Sequence, residues 1–281
     1  MQNQIFVWKV KVFKRMFKKT EFRVLTNFST RAKIRQRAEI RMVIPLARIN
    51  KAKLTRIEIL RAATRKILEL GYSNTSAKAV ADELGMSTGN LTFYFPTKEH
   101  ILAEMVGMLC DFQWKMMEKE ADEGYSSLMA ICLELTAMAA MCEENAIIKD
   151  FYLAAYSSPM ALEIIRKNDA ARAKTVFADR CSTWTEEQFA EAEILVSGIE
   201  YATLMTTDSS VSVEIRIAGA LNNILTIYGV PEDIRRAKID RVLSMDYLEI
   251  GRRIFEGFVQ YVEETNEHAL EELLLLRRTT E

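Results

Sequence analysis

The 281-residue chain is 49% hydrophobic and holds only ten glycines and four prolines, a composition that favours an all-α protein with a substantial core. No apolar run reaches the roughly 18 residues that a membrane-crossing helix requires, so a spanning segment is excluded. The formal net charge of −1 hides an asymmetry: residues 1–50 carry 13 Lys/Arg against two Asp/Glu, residues 51–98 are net +4, and the remainder is net −16, as suits a protein that docks its front end on a polyanion.

Residues 1–50 form a basic N-terminal extension in which Lys9, Lys11, Lys14, Arg15, Lys18 and Lys19 interleave with Phe6, Trp8, Phe13 and Phe17. From Ile5 to Phe13 the apolar residues neither keep to one helical face nor alternate. Three readings stay open: a disordered basic arm on phosphates, an amphipathic segment on an anionic membrane, or a stretch outside the native protein, with Met42 as its start. From Leu54, the steps Leu54, Ile57, Leu60, Ala63, Ile67 and Leu70 predict a helix that Gly71 ends. It is expected to bury Ile59, Leu60 and Ile67 against Leu84 and Phe95, with Tyr72 in the same core.

The next stretch organises the chain. Val80, Ala81 and Leu84 share one face of a short helix capped by Thr75 or Ser76. Gly85 interrupts it, Met86 fills the corner, and Ser87 is suited to cap a second short helix. Two brief helices joined by a tight glycine turn predict a helix-turn-helix, the alternative being an ordinary helical hairpin. Thr88, Gly89 and Asn90 open the second helix with short or absent side chains, so its end can approach phosphates and base edges in a major groove. Thr88, Asn90, Thr92 and Phe93 are the base-edge candidates, Phe93 toward a thymine methyl, and Gly89 permits close backbone approach. Thr75, Ser76, Lys78, Ser87, Tyr94 and Lys98 are the candidate phosphate contacts. Pro96 breaks the chain and Thr97 caps a further helix; Lys98 in its first turn opposes the helix dipole, which is explicable if both grip a phosphate.

The stretch resembles the DNA-binding module of TetR/AcrR-type transcriptional regulators. The resemblance rests on Gly71-Tyr72, Thr75-Ser76, Val80-Ala81, Gly85-Met86-Ser87, Gly89, Leu91-Thr92-Phe93-Tyr94-Phe95 and Lys98-Glu99 with Ile101-Leu102, all in one register between about Leu54 and Leu102. The family's usual tyrosine after the leucine is Thr92 here, leaving a smaller hydroxyl and methyl at that place. The resemblance implies a DNA-binding domain over 51–102 and a helical effector-binding and dimerisation domain over 103–281. It also implies a cytoplasmic homodimer on a pseudo-palindromic operator, most often a repressor, with Lys98 on the DNA backbone. A small-molecule effector between the middle helices would tilt the helix that joins the domains.

That connecting helix runs from Lys98 through Leu102, Met105, Leu109, Phe112 and Met116 and is expected to close at Gly124-Tyr125. Further helices are predicted over Ser126–Glu144, Ala146–Tyr156, Pro159–Arg180, Thr185–Thr206, Val211–Tyr228, Pro231–Leu243 and Tyr247–Thr265, with a short frayed helix from Glu267. Met105, Met108, Trp114, Met138, Phe151, Tyr152 and Tyr156 are candidate lining of an effector pocket, although the same residues at helical spacing also read as plain core. Leu195, Ile199 and Ala202, with Ala218, Leu221 and Leu225, mix large and small side chains as a dimer seam would; packing within one chain is the alternative.

No phosphate-cradling glycine loop, HExxH, nucleophile elbow or CxxC occurs, and Glu143-Glu144 and Glu186-Glu187 point to different sides of their helices. Cys110, Cys132, Cys142 and Cys181 lack metal spacing and read as reduced, packed thiols. No cofactor, metal or enzymatic activity is expected. The sequence reads as a DNA-binding regulator. The main rival is a helical adaptor of the same fold working through protein partners, and a weaker one is an enzyme with a perturbed acid or base in a pocket.

Overall fold

The computed structural model describes residues 51–122, 127–206 and 211–278, so the expectations for residues 1–50 and for Gly124-Tyr125 lie outside it. The described elements are helices, with no strand among them. Helix α1 covers 51–70, α2 Ala77–Glu83, α3 Thr88–Tyr94 and α4 Lys98–Asp122. The body continues with α5 Ser127–Glu144, α6 Ala146–Ser157, α7 Pro159–Val176, α8 Glu186–Met205, α9 Val213–Ile227, α10 Glu232–Leu243 and α11 Tyr247–Arg278. The described residues from 51 on form one compact unit, and α4 runs unbroken through the expected domain boundary at residue 102.

The reading head is a small core with a long brace. Ile59, Leu60, Ala63 and Ile67 of α1 are buried with Val80, Ala81, Leu91 and Phe95. Leu70, expected on the same stripe, is instead 49% exposed, because the helix ends there and Gly71 turns the chain away at φ +92°. At the end of α2, the Met86 N–H reaches the Ala81 carbonyl (3.0 Å) and the Gly85 N–H reaches Asp82 (3.2 Å), with Gly85 at φ +63°. This paired closure needs a left-handed residue, which glycine supplies without steric cost. It sets the angle at which α3 leaves the pair.

The body is organised around α5. Its buried residues lie on every side, from Met129 and Ala130 through Cys132, Leu133, Leu135 and Thr136 to Met141 and Cys142, as expected of a helix surrounded by others. Helices α4, α6, α8, α9, α10 and α11 all pack on it. Helix α11 does not stop at Thr265. Arg61 of α1 pairs with Glu263 (3.1 Å) and Glu267 (2.7 Å), and Asn266 is buried, so the acidic stretch after Thr265 is held against the head.

Two further ties join body and head. Asp150 of α6 accepts from the Ser73 N–H (2.7 Å) and from the Ser73 hydroxyl, close under Gly71, where an added Cβ would meet the Asp150 carboxylate at 2.8 Å. Arg56 of α1 pairs with Glu104 of α4 at 2.7 Å and lies over the Phe95 ring.

Candidate nucleic-acid interface

Ser76 and Ser87 cap α2 and α3, their hydroxyls accepting from the N–H groups of Ala79 (3.1 Å) and Asn90 (3.2 Å). Such caps occupy one orphan donor each and leave the other leading N–H groups free for an anion. Leu91 and Phe95 anchor the inner face of α3. Its outer face is open: Ser87, Thr88, Gly89, Asn90, Thr92 and Phe93 are all exposed, Phe93 to 78%. Ser76 and Lys78 are exposed beside them, and Tyr94 is half-buried edge-on to Phe93 with ring centroids 5.3 Å apart. A Cβ on Gly89 would meet nothing within 4 Å, so packing inside the chain gives no reason for a glycine there.

Two expected phosphate contacts are placed otherwise. Thr75 is 3% exposed and its hydroxyl donates to the Gly71 carbonyl at 2.8 Å, so its side chain belongs to the loop that links α1 and α2. Lys98 turns its ammonium inward, donating to the carbonyls of Tyr72 (2.8 Å) and Thr75 (3.0 Å) over the Tyr72 ring at 4.0 Å. Two of its three hydrogens are therefore taken by backbone and the ring receives the cation's face. Burial, with Glu99 and Asp150 nearby, pushes the Tyr72 hydroxyl up to about 12. In this structure Lys98 braces the head; the sequence hides this because the carbonyls it caps lie 23 and 26 residues away.

The body contains two adjoining chambers, of about 70 and 60 Å³. Leu109, Gln113, Glu134, Met138, Tyr152 and Arg172 line both. Of the expected pocket residues, Met138 and Tyr152 line both chambers and Tyr156 the inner one. Four lie elsewhere. Met105 is fully buried in the core between α4 and its neighbours, and Met108 borders a separate surface groove with Gly107 and Ile164. Trp114 donates to Asn168 at 2.7 Å outside the chambers, and Phe151 packs on Tyr152 and Phe258.

The inner chamber is lined by charge that the sequence reading missed. Arg172, 5% exposed, is held two-pronged by Glu134 and lies 3.4 Å from Asp169. Glu193 takes the Tyr228 hydroxyl and Glu200 the Tyr156 hydroxyl (2.8 Å). Burial is the main cause that raises all three outer carboxyls: Asp169 to about 6, Glu193 to about 8, and Glu200 well above its ordinary value. A sequence signal existed: Phe189, Glu193, Val196 and Glu200 recur at three- and four-residue steps, which puts both acids on the apolar face of α8. Burial also pushes the thiols of Cys110 and Cys142 up to about 12 and Cys132 to about 11. Among the described residues no group of His, Cys, Asp and Glu could hold a metal ion, and no helix is long and apolar enough to cross a membrane.

The expected dimer residues divide by face. Leu195 (56% exposed) and Ala202 are open, and Ile199 and Ala218 are half-buried. Leu221 and Leu225 are fully buried, because they sit on the face of α9 turned to α5. The open faces of α8 and α9 carry Ile194, Tyr201 and Ile215 as well, together with Gly198 and Gly219, beside which an added Cβ would meet nothing.

Residues 59–105 match the pattern that defines bacterial regulatory proteins of the tetR family, the stretch from α1 to the first turns of α4. Over these residues the chain is similar to the DNA-binding module of that family. The described fold is all-helical, and the matched head is of the kind that binds DNA in transcription regulation. No curated protein matches the chain. Among solved structures, the TetR-family protein CprB from S. coelicolor A3(2) is similar at 20% identity, over 73% of this chain and 98% of that one, with a TM-score of 0.37. Salmonella enterica GusR is similar at 22% identity, over 63% of this chain and 94% of that one, also with a TM-score of 0.37.

Proposed function

We propose that this chain is a TetR-family, ligand-responsive repressor of a bacterial cytoplasm, acting as a homodimer on a pseudo-palindromic operator. The observation that carries the reading is the outer face of α3: Thr88, Gly89, Asn90, Thr92 and Phe93 stand clear of the chain on a helix whose inner face is fixed by Leu91 and Phe95. Backbone N–H groups at the starts of α2 and α3, with Ser76 and Lys78, would take phosphates on either side of the groove. Two-fold pairing through the open faces of α8 and α9 would set two such heads about 34–36 Å apart, one turn of duplex.

The chambers supply the effector site in this reading. They lie against α4, and a ligand that spread α4 from α5 and α7 would move the start of α4, where Lys98 grips the α1–α2 loop. The raised carboxyls of the inner chamber are what an enzyme reading would ask for. The regulator is preferred because Glu193 and Glu200 are engaged by tyrosine hydroxyls and, among the described residues, no activated nucleophile faces them; the Cys110 thiol is pushed up to about 12.

The experiment is genome-wide recovery of DNA bound to the chain, followed by gel shifts on the recovered fragments and on DNA upstream of its own gene. Discrete sites with inverted half-sites are the expected result. Recovery of no specific DNA, with proteins retained instead, would favour an adaptor.

A further inference from the structure

The inner chamber is unbalanced in charge. Among the described residues four carboxyls reach it, Glu134 from α5, Asp169 from α7, and Glu193 and Glu200 from α8, against a single lining cation, Arg172. Glu134 holds Arg172 in two-pronged fashion and also takes the Gln113 amide; Asp169 completes that group, 3.4 Å from Arg172 and bonded to the Asn168 amide at 3.0 Å. Among the described residues, Glu193 and Glu200 are left with tyrosine hydroxyls as their hydrogen-bonding partners. Glu193 is 2% exposed. Burying a carboxylate without a cation is costly, so the group either keeps a proton or waits for a positive charge.

A second observation points to an occupant. The Nε–H of Arg172, buried with the rest of the side chain on the wall of both chambers, has no acceptor among the described residues. A buried donor left unmade costs about 1–3 kcal/mol, and an oxygen from a ligand or water would satisfy it. Seven residues separate Glu193 from Glu200, about 10 Å along α8. Two turns apart, they share one face of α8, and among the described residues no group of His, Cys, Asp and Glu could hold a metal ion, which leaves an organic cation as the charge that suits them. The wall toward the outer chamber is apolar and adaptable, with Met116, Met138 and Met141 beside Phe255 and Phe258.

We infer that the body cavity takes an organic monocation: an ammonium seated between Glu193, Glu200 and Asp169, an aromatic or aliphatic body lying toward the methionines, and an acceptor oxygen for Arg172. The inference rests on the reading of the chambers as the effector site. Combined, the chambers admit a ligand of about one ring, and larger ones require the methionines to shift. Both carboxyls are raised by burial, so entry of the cation releases a proton, and affinity rises with pH through the range below about 8 in which Glu193 holds one. The other titratable groups facing this place are Glu134, Asp169, Arg172, Cys110, Tyr152, Tyr156 and Tyr228.

The test is calorimetric titration of the full chain with three probes of one shape: tyramine, tyrosol and 4-hydroxyphenylacetate, which carry an ammonium, a hydroxyl and a carboxylate on the same phenol. Tyramine is expected to bind at least tenfold tighter than tyrosol, more tightly at pH 8 than at pH 6, and 4-hydroxyphenylacetate weakest. Glu200→Gln and, separately, Glu193→Gln are expected to reduce the tyramine preference about tenfold and leave tyrosol binding unchanged, with helix content checked by circular dichroism. Equal or tighter binding of tyrosol or of the carboxylate would overturn the cation and leave the effector site standing. So would a tyramine preference untouched in both folded variants. Failure of all three probes to bind at millimolar concentration would overturn both.

Discussion

The head and the body use their polar residues in opposite ways. On α3 the polar residues face outward around Gly89, and several charged side chains of the head are engaged in bracing: Arg65 and Lys66 on Glu83, Arg61 on α11, Lys98 on the carbonyls of Tyr72 and Thr75. In the body, charge is turned inward, where Glu134, Asp169, Arg172, Glu193 and Glu200 meet around a cavity. A surface that reads DNA needs a rigid frame and an uncommitted outer face. A cavity that binds a small molecule needs its polarity desolvated, so that a few groups discriminate strongly.

That contrast can be broken at several points. Phe95→Ala removes the largest side chain of the head's core, 1% exposed, and is expected to lower the head's stability by about 3–5 kcal/mol in urea unfolding followed by hydrogen exchange. If protection is lost equally in α5 and α8, head and body are one cooperative unit. Lys98→Met keeps the stem and removes the ammonium from two carbonyls, a loss of about 1.5 kcal/mol. As a brace, Lys98 leaves the salt dependence of DNA binding unchanged when it is replaced; a slope shallower by about one would return it to the phosphate contacts.

The third point is pH. Glu193 has its carboxyl raised to about 8 in the fold, so the folded state binds more protons than the unfolded one between the ordinary carboxyl range and about 8. Stability therefore falls as pH rises through that window, by at most about 1.4 kcal/mol per pH unit for each such group. Glu193→Gln is expected to flatten the fall, measured as melting temperature from pH 5 to 8. Smallest, Ser87→Ala removes the cap of α3 and costs about 1 kcal/mol. Because it loosens the frame and keeps the outer face, it is expected to weaken specific DNA binding only modestly.

How much was legible follows the same division. The head's signals lie within a few residues of each other: the Gly85 turn, the Ser87 cap and the Leu91–Phe95 spacing could be read directly, and all stand in the structure. Where the head was misread, a distant partner decided the matter. Thr75 and Lys98 look like exposed phosphate ligands until the α1–α2 loop closes over them. The helices of the body were visible, but which methionine meets a cavity depends on how α4, α5 and α7 cross, and periodicity does not contain that. Leu221 and Leu225 show the same limit, since a stripe of large and small residues suits the packing against α5 as well as a dimer seam. The acids of α8 were readable in principle, as charges at apolar positions of a regular face.

In the proposed function the amino end of α3 slots into duplex DNA. Gly89→Gln tests it most directly, because a side chain at that position meets nothing inside the chain and the helix gains up to about 1 kcal/mol of intrinsic propensity. The measurement is affinity for the DNA fragments recovered with the parent chain, alongside the melting temperature. The variant is predicted to melt no lower than the parent and to lose at least a hundredfold in specific binding; parental affinity in the folded variant would contradict the claim.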